Sequence, residues 1–286
     1  MALETVTGSL LAYKELEPGT FQHVDQITTE RRDNRGLRDR WFYTADGELY
    51  TVQKRKHLWV ITREPQNLVL RNIDEAYRQL TSQGNYFPDA EAAKTSLEHE
   101  DSVVIDLKGL RLARDNDQYG HFAVNPRAVK KLNPEQRRAA QRIYGPDEKK
   151  FGLNMEMFAE ARKTLYVFVL TPDYVQGALR NNDQKFLGRA SWLNYFNNDF
   201  YVDVRYVDSR YALRGVRRVI AEALPLQSHE RSDLSDAPKN EVLQAPPEAQ
   251  EKQVVTLERM LELSRSHVAD SSWPVWEQTL RKEYKQ

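Results

Sequence analysis

The clearest strand signal in the chain is the run Leu165-Tyr166-Val167-Phe168-Val169-Leu170, closed by Pro172. A short unbroken run rich in β-branched and aromatic residues predicts a buried strand. A β-meander is predicted over residues 41–70. Trp41-Phe42-Tyr43 and Leu49-Tyr50-Thr51-Val52 read as paired strands, with Ala45-Asp46-Gly47-Glu48 as the turn, because Asp-Gly between two β-rich runs signals a hairpin. Residues 57–62 and Leu68-Val69-Leu70 extend it. Leu10-Leu11-Ala12-Tyr13 predicts a first short strand, turned by Pro18-Gly19, and residues 103–107 predict another by alternation.

Helical signals lie between these runs. Asn72 or Asp74 caps a helix bearing Ala76, Tyr77 and Leu80 on one face, and Gly84 ends it. Asp89 caps a second helix from Ala90 to Glu98. Asn133 and Pro134 open a third, which runs to Ile143 or Tyr144 before Gly145-Pro146. A short helix over residues 154–163 offers Met155, Met157 and Phe158 to the core, and residues 173–179 can add a helical turn. Residues 225–252 are rich in Pro, Ser, Gln and charge and poor in aromatics, so they read as a linker. Residues 253–286 read as a helical tail. Its first helix has a broad apolar face, and its last is capped by Ser272 and carries Trp273 and Trp276. Those tryptophans need burial, on the domain or on a partner.

Composition narrows the function classes. The 286 residues hold 42 basic and 42 acidic side chains, which argues against a polyanionic partner. No run of 18 apolar residues exists, so no membrane span is expected. Glu4 and the lack of a long apolar region argue against a secretory signal, which leaves a cytoplasmic location as the expectation. With no cysteine, disulfides, thiolate metal sites and cysteine nucleophiles are excluded. The six histidines, at 23, 57, 99, 121, 229 and 267, have no metal-ligand spacing. Residues 114–120 are acidic enough to suggest calcium, yet Tyr119 and Pro126 break the EF-hand pattern, so a polar hairpin is expected. The five arginines of residues 30–40 are interleaved with Asp33 and Asp39 and predict a solvated loop. No cofactor motif and no catalytic set emerges.

The most unusual stretch is residues 188–218, GRASWLNYFNNDFYVDVRYVDSRYALRGVRR. Of the 18 residues from 194 to 211, eleven are Asn, Tyr, Asp or Ser: Asn194, Tyr195, Asn197, Asn198, Asp199, Tyr201, Asp203, Tyr206, Asp208, Ser209 and Tyr211. Tyr gives a large rigid contact area, and Asn and Ser give adaptable hydrogen bonds, as in antibody loops. Phe196, Phe200 and the valines between them suit anchoring to a core.

On these residues the chain resembles the C-type-lectin-like fold in the version shared with formylglycine-generating enzymes. There a Gly-Gly-Ser-Trp strand and a Gly-Phe-Arg strand flank a long insert. The counterparts here are Arg189-Ala190-Ser191-Trp192 and Arg214-Gly215-Val216-Arg217. More narrowly, the stretch resembles the variable region of target-binding proteins of diversity-generating retroelements. In that family adenines of Asn codons are mutated, and an altered AAC codon can give Asn, Tyr, Asp or Ser. One departure is that about 70 residues follow the stretch, whereas in that family it usually ends the protein.

The resemblance implies an α+β, C-type-lectin-like domain over residues 1–224, with a variable-type binding region at 190–218. The implied function is non-catalytic binding of a protein or other macromolecular target through the eleven residues, with Trp192 and the strand around Arg214 as scaffold. Two alternatives stand beside it. One is an enzyme of unknown activity on the formylglycine-generating-enzyme-like fold, whose cysteine chemistry this chain cannot perform. The other is a nucleic-acid binder using the arginines at 31–40 and 214–218.

Overall fold

The computed structural model describes residues 2–38, 40–180, 185–194, 199–202 and 207–218. All fall within the first of the chain's two units, Met1–Leu224. The expected linker and helical tail lie outside the described residues.

In chain order the elements are β1 (Glu4–Gly8), a 3-10 turn (Leu10–Glu15), α1 (Val24–Asp33), β2 (Phe42–Gln53) and β3 (Lys56–Arg63). Next come α2 (Leu68–Arg71), α3 (Ile73–Gln83), α4 (Ala90–Glu98), β4 (Val103–Asp106), β5 (Ala113–Arg114) and β6 (Tyr119–Val124). The last are α5 (Pro134–Tyr144), α6 (Glu148–Glu160), β7 (Leu165–Leu170), α7 (Pro172–Arg180), β8 (Phe186–Leu193), β9 (Phe200–Val202) and β10 (Tyr211–Gly215). The strands form one mixed sheet in the order β1-β10-β2-β8-β9-β7-β6-β5, with β3 on β2 and β4 on β3. Among the described residues seven of the nine strand pairings are antiparallel, with only β2–β10 and β7–β9 parallel, and helices pack on the sheet, which makes the domain α+β.

Two cores flank the sheet, and the alternation along β8 separates them. Leu187 and Leu193 join α1, α5, α6 and α7 through Ile27, Ile143, Phe158 and Val175. Phe186, Ala190 and Trp192 join the 3-10 turn, α2 and α3 through Leu10, Leu68, Leu70 and Leu80. Three of the predicted caps form, whereas Asn72 sits at the start of α3 without a side-chain bond to the helix and its Nδ2 donates to Tyr86 OH at 3.3 Å. The Asp89 side chain accepts from Ala92 N at 2.9 Å, Asn133 accepts from Gln136 N at 3.0 Å, and Gly84 ends α3 in the left-handed region at φ 73°.

Four expectations are corrected. Asp46-Gly47 is not a hairpin turn: β2 runs through it, with a register shift between Tyr43 and Gly47, and the chain turns at Lys54 and Arg55 instead. Asn67 explains both this and the next correction. Its Nδ2 donates to Ala45 O at 3.1 Å, propping the bulge, and a Cβ at Gly47 would lie 2.5 Å from its side chain. Its Oδ1 accepts from Val69 N and Leu70 N, so Leu68-Val69-Leu70 starts a helix, not a strand. Leu10–Glu15 is a 3-10 turn, not a strand. The arginine-rich segment is no solvated loop over its first part, which belongs to α1. Arg31 is fully buried there, its Nε donating to Leu37 O at 3.2 Å and its guanidinium 5.2 Å from the Phe42 ring centre. An arginine that faces the core still counts as polar by type, so composition alone points to a loop.

A buried charge network ties α1 and α6 to the sheet. Asp25 binds Arg63 Nη2 and Lys150 Nζ, each at 2.6 Å. Asp46 accepts from Val24 N at 2.7 Å and faces Arg63 Nε and His23 Nδ1 at 3.4 Å. Burial pushes the Asp46 carboxyl up, but His23, Arg63 and the Val24 amide outweigh it and hold it at about 2.

Candidate binding face

The two segments that flank the Asn- and Tyr-rich stretch are both built into the sheet. Every residue of β8 is buried, and β8 pairs with β2 over most of its length. Gly188 is required there: its N–H donates to Tyr86 O at 2.7 Å, and a Cβ would lie 2.8 Å from the Tyr86 ring. On β10, Arg214 forms a two-pronged ion pair with Glu30, with Nε to Oε2 at 2.6 Å, and its Nη1 donates to Thr5 Oγ1 at 2.9 Å. The Arg214 guanidinium lowers the Glu30 carboxyl below its usual range. The guanidinium of Arg214 is thus spent on the scaffold.

Between these strands an aromatic row crosses the sheet. Trp41 stacks on Trp192 with ring centres 4.7 Å apart, Trp192 on Tyr201 at 4.4 Å and Tyr201 on Phe168 at 4.2 Å. The interplanar angles are 11°, 13° and 9°, so four rings lie nearly parallel. Tyr211 leans against Trp41 at 5.0 Å at one end, and His121 meets Phe168 at 5.2 Å at the other. Trp192 is only 2% exposed, while Trp41, Tyr201, Phe168, His121 and Tyr211 are half-buried and Tyr166, on the same side of β7 as Phe168, is 36% exposed. The row therefore runs from a sheathed half of the sheet, under the 3-10 turn and α2–α3, to an open half on β9, β7 and β6.

Six of the eleven candidate residues are described. Tyr201 and Tyr211 stand in the row. Asp208 is exposed and Ser209 half-exposed, on a turn pegged from below by buried Val207, whose carbonyl accepts from Leu10 N at 2.9 Å. Tyr43 OH donates to Ser209 O at 3.2 Å. Asn194 is half-buried at the end of β8. Asp199 differs: it is 6% exposed, its Oδ1 accepts from Tyr166 N at 2.8 Å, and its carbonyl accepts from Asn194 N at 3.1 Å. It fastens the stretch to β7, a scaffold task its residue type did not reveal. Phe200 and Val202 are buried, as expected of the anchoring apolar positions. Tyr195, Asn197, Asn198, Asp203 and Tyr206 lie outside the described residues.

Burial raises the Asp199 carboxyl to about 6, against the opposing pull of the Tyr166 amide, Lys163 and His121. Among the described residues no group of His, Asp or Glu is arranged to hold a metal ion. No described helix is long and apolar enough to cross a membrane.

No family model and no curated protein matches the chain. A solved structure concerned with how the C-type lectin fold accommodates massive sequence variation in Nanoarchaeota does match. It covers 76% of this chain and 97% of its own chain, with a TM-score of 0.50 and 13% identity. The chain has a C-type lectin fold. At that identity the likeness is one of architecture, and the side-chain roles on this C-type lectin fold rest on the geometry above. The row also brings in Trp41, His121, Tyr166 and Phe168, which lie outside the 188–218 stretch. The period-two spacing of Tyr166 and Phe168 on one side of β7 is the signal that could have found them, and it is masked by the unbroken apolar run around it.

Proposed function

We propose that this chain is a non-catalytic binding protein that takes a protein or other macromolecular target on the face spanning residues 194–211. The observation that carries the proposal is the aromatic row. Tyr201 and Tyr211 are only partly covered, while Trp192 beside them in the row is buried and stacked. Few residues carry most of the energy of an interface, and Tyr and Trp are prominent among them. Tyr201 and Tyr211 are then the anchors, with Tyr195 and Tyr206 as further ones, and Asn194, Asn197, Asn198, Asp203, Asp208 and Ser209 tune specificity. The same reading makes the eleven codons targets of retroelement diversification.

Display of the chain with those codons randomised, except that of Asp199, which fastens the stretch to β7, tests the proposal. Selection against a probe protein such as lysozyme should yield binders whose affinity is lost on restoring the parental residues. Failure to enrich any binder from a well-displayed library would contradict the binding reading. A reverse-transcriptase gene beside the locus, with a repeat matching codons 190–218 except at adenines, would establish the diversification.

A further inference from the structure

A groove of about 570 Å³ opens where β2 ends, between α4, α7 and the start of β8. This volume lies within the roughly 300–1,000 Å³ of small-molecule sites. It sits at Phe186, six residues along β8 from Trp192, or about 20 Å at the usual rise per strand residue. It is therefore separate from the aromatic row.

The floor is apolar, with Phe186 buried and Val52, Leu97 and Leu179 half-buried. The two walls differ in charge. Glu91, Lys94 and Glu98 recur on α4 at spacings of three and four, which puts them on one helix face. Two carboxylates against one ammonium leave that wall net negative. The α7–β8 wall contributes Arg180 and Lys185 and no described carboxylate. None of these five groups forms an ion pair among the described residues. Gln176 adds an amide at the rim, held by His57 Nε2 at 3.2 Å.

The geometry points to a second binding site here, for a short apolar peptide with free termini. Its ammonium lies against the α4 carboxylates, its carboxylate against Arg180 and Lys185, and its side chains on the Val52–Leu179–Phe186 floor. A purely anionic ligand would meet Glu91 and Glu98, and a purely cationic one would meet Arg180 and Lys185. A neutral apolar ligand would use neither wall. Only an occupant charged oppositely at its two ends satisfies both.

Calorimetric titration of the full chain with trileucine, and in parallel with N-acetyl-trileucine amide, tests this. Free trileucine should bind, and the capped form should bind at least tenfold more weakly. Joint Arg180→Ala and Lys185→Ala substitution, at two exposed positions, should weaken free trileucine about tenfold and leave the capped form unchanged. Tyr201→Ala should leave trileucine binding unchanged, which separates this site from the face at residues 194–211. No binding at millimolar trileucine, equal binding of the capped form, or indifference to the double substitution would overturn the inference.

Discussion

β8 and the described residues from Asp199 to Tyr211, of which β9 pairs with β8, spend their side chains differently. Along β8 all eight residues are buried. Its two sides feed the two cores, and Ser191 Oγ donates to Asp46 O. In the neighbouring segment burial alternates with exposure: Phe200, Val202 and Val207 go in, and Tyr201, Asp208, Ser209 and Tyr211 are wholly or partly out. A strand whose every side chain is committed can set a position but cannot vary. A segment pegged at a few apolar points can vary between the pegs. The contrast extends to buried acids. Asp46, against β8, has cationic partners that hold it charged, whereas Asp199 has a backbone amide and more distant charges.

The largest effect should come from the committed strand. Trp192→Ala removes the ring sandwiched between Trp41 and Tyr201 and should cost about 3–5 kcal/mol in denaturant unfolding. A cost below about 1 kcal/mol, the scale of an ordinary surface change, would mean that the row does not support the face.

The second effect is a pH dependence. Asp199 has a raised folded value of about 6, so the folded chain holds its proton more tightly than the unfolded chain does. Stability from this group is present below about pH 4 and falls as pH rises through 6. Asp199→Asn should abolish that fall and raise stability at pH 7 by about 2 kcal/mol, while keeping an acceptor for the Tyr166 amide. Asp46 works in a separate window: its contribution is present above about pH 4 and is lost as pH falls towards 2. An unaltered pH profile after Asp199→Asn substitution would show that Asp199 is not the buried acid of this region.

A smaller effect is expected at Tyr201, which belongs to both sides of the comparison. Its ring is stacked on Trp192 and Phe168, so Tyr201→Ala should cost about 1–2 kcal/mol, more than an exposed contact residue would. A cost as large as that of Trp192→Ala would move it wholly into the scaffold.

Much of this division was legible in the sequence, because it rests on local signals. The caps Asp89 and Asn133 and the strand at 165–170 need only their neighbours to act. Gly188, Trp192 and Arg214 stood out as flanking features of a biased segment. What stayed hidden depends on partners distant in the chain. Asp46-Gly47 has a turn composition, but Asn67 and the pairing with Arg63, Thr62 and Ala190 hold it extended. Asp199 has the residue type of a contact, and only the Tyr166 amide 33 residues away makes it a fastening. Side-chain type carries no record of such long-range partners.

The central claim is that the face can change without the fold. It is tested most directly by unfolding the quadruple variant Asp203→Ala, Tyr206→Ala, Asp208→Ala and Ser209→Ala beside Trp192→Ala in the same denaturant. A substitution at a contact residue that carries no packing is worth within about 0.5 kcal/mol, so on the proposed reading the quadruple variant should keep a cooperative transition and lose less stability than Trp192→Ala alone. A quadruple variant that unfolds, or that loses more than Trp192→Ala does, would make the segment part of the core and contradict the account.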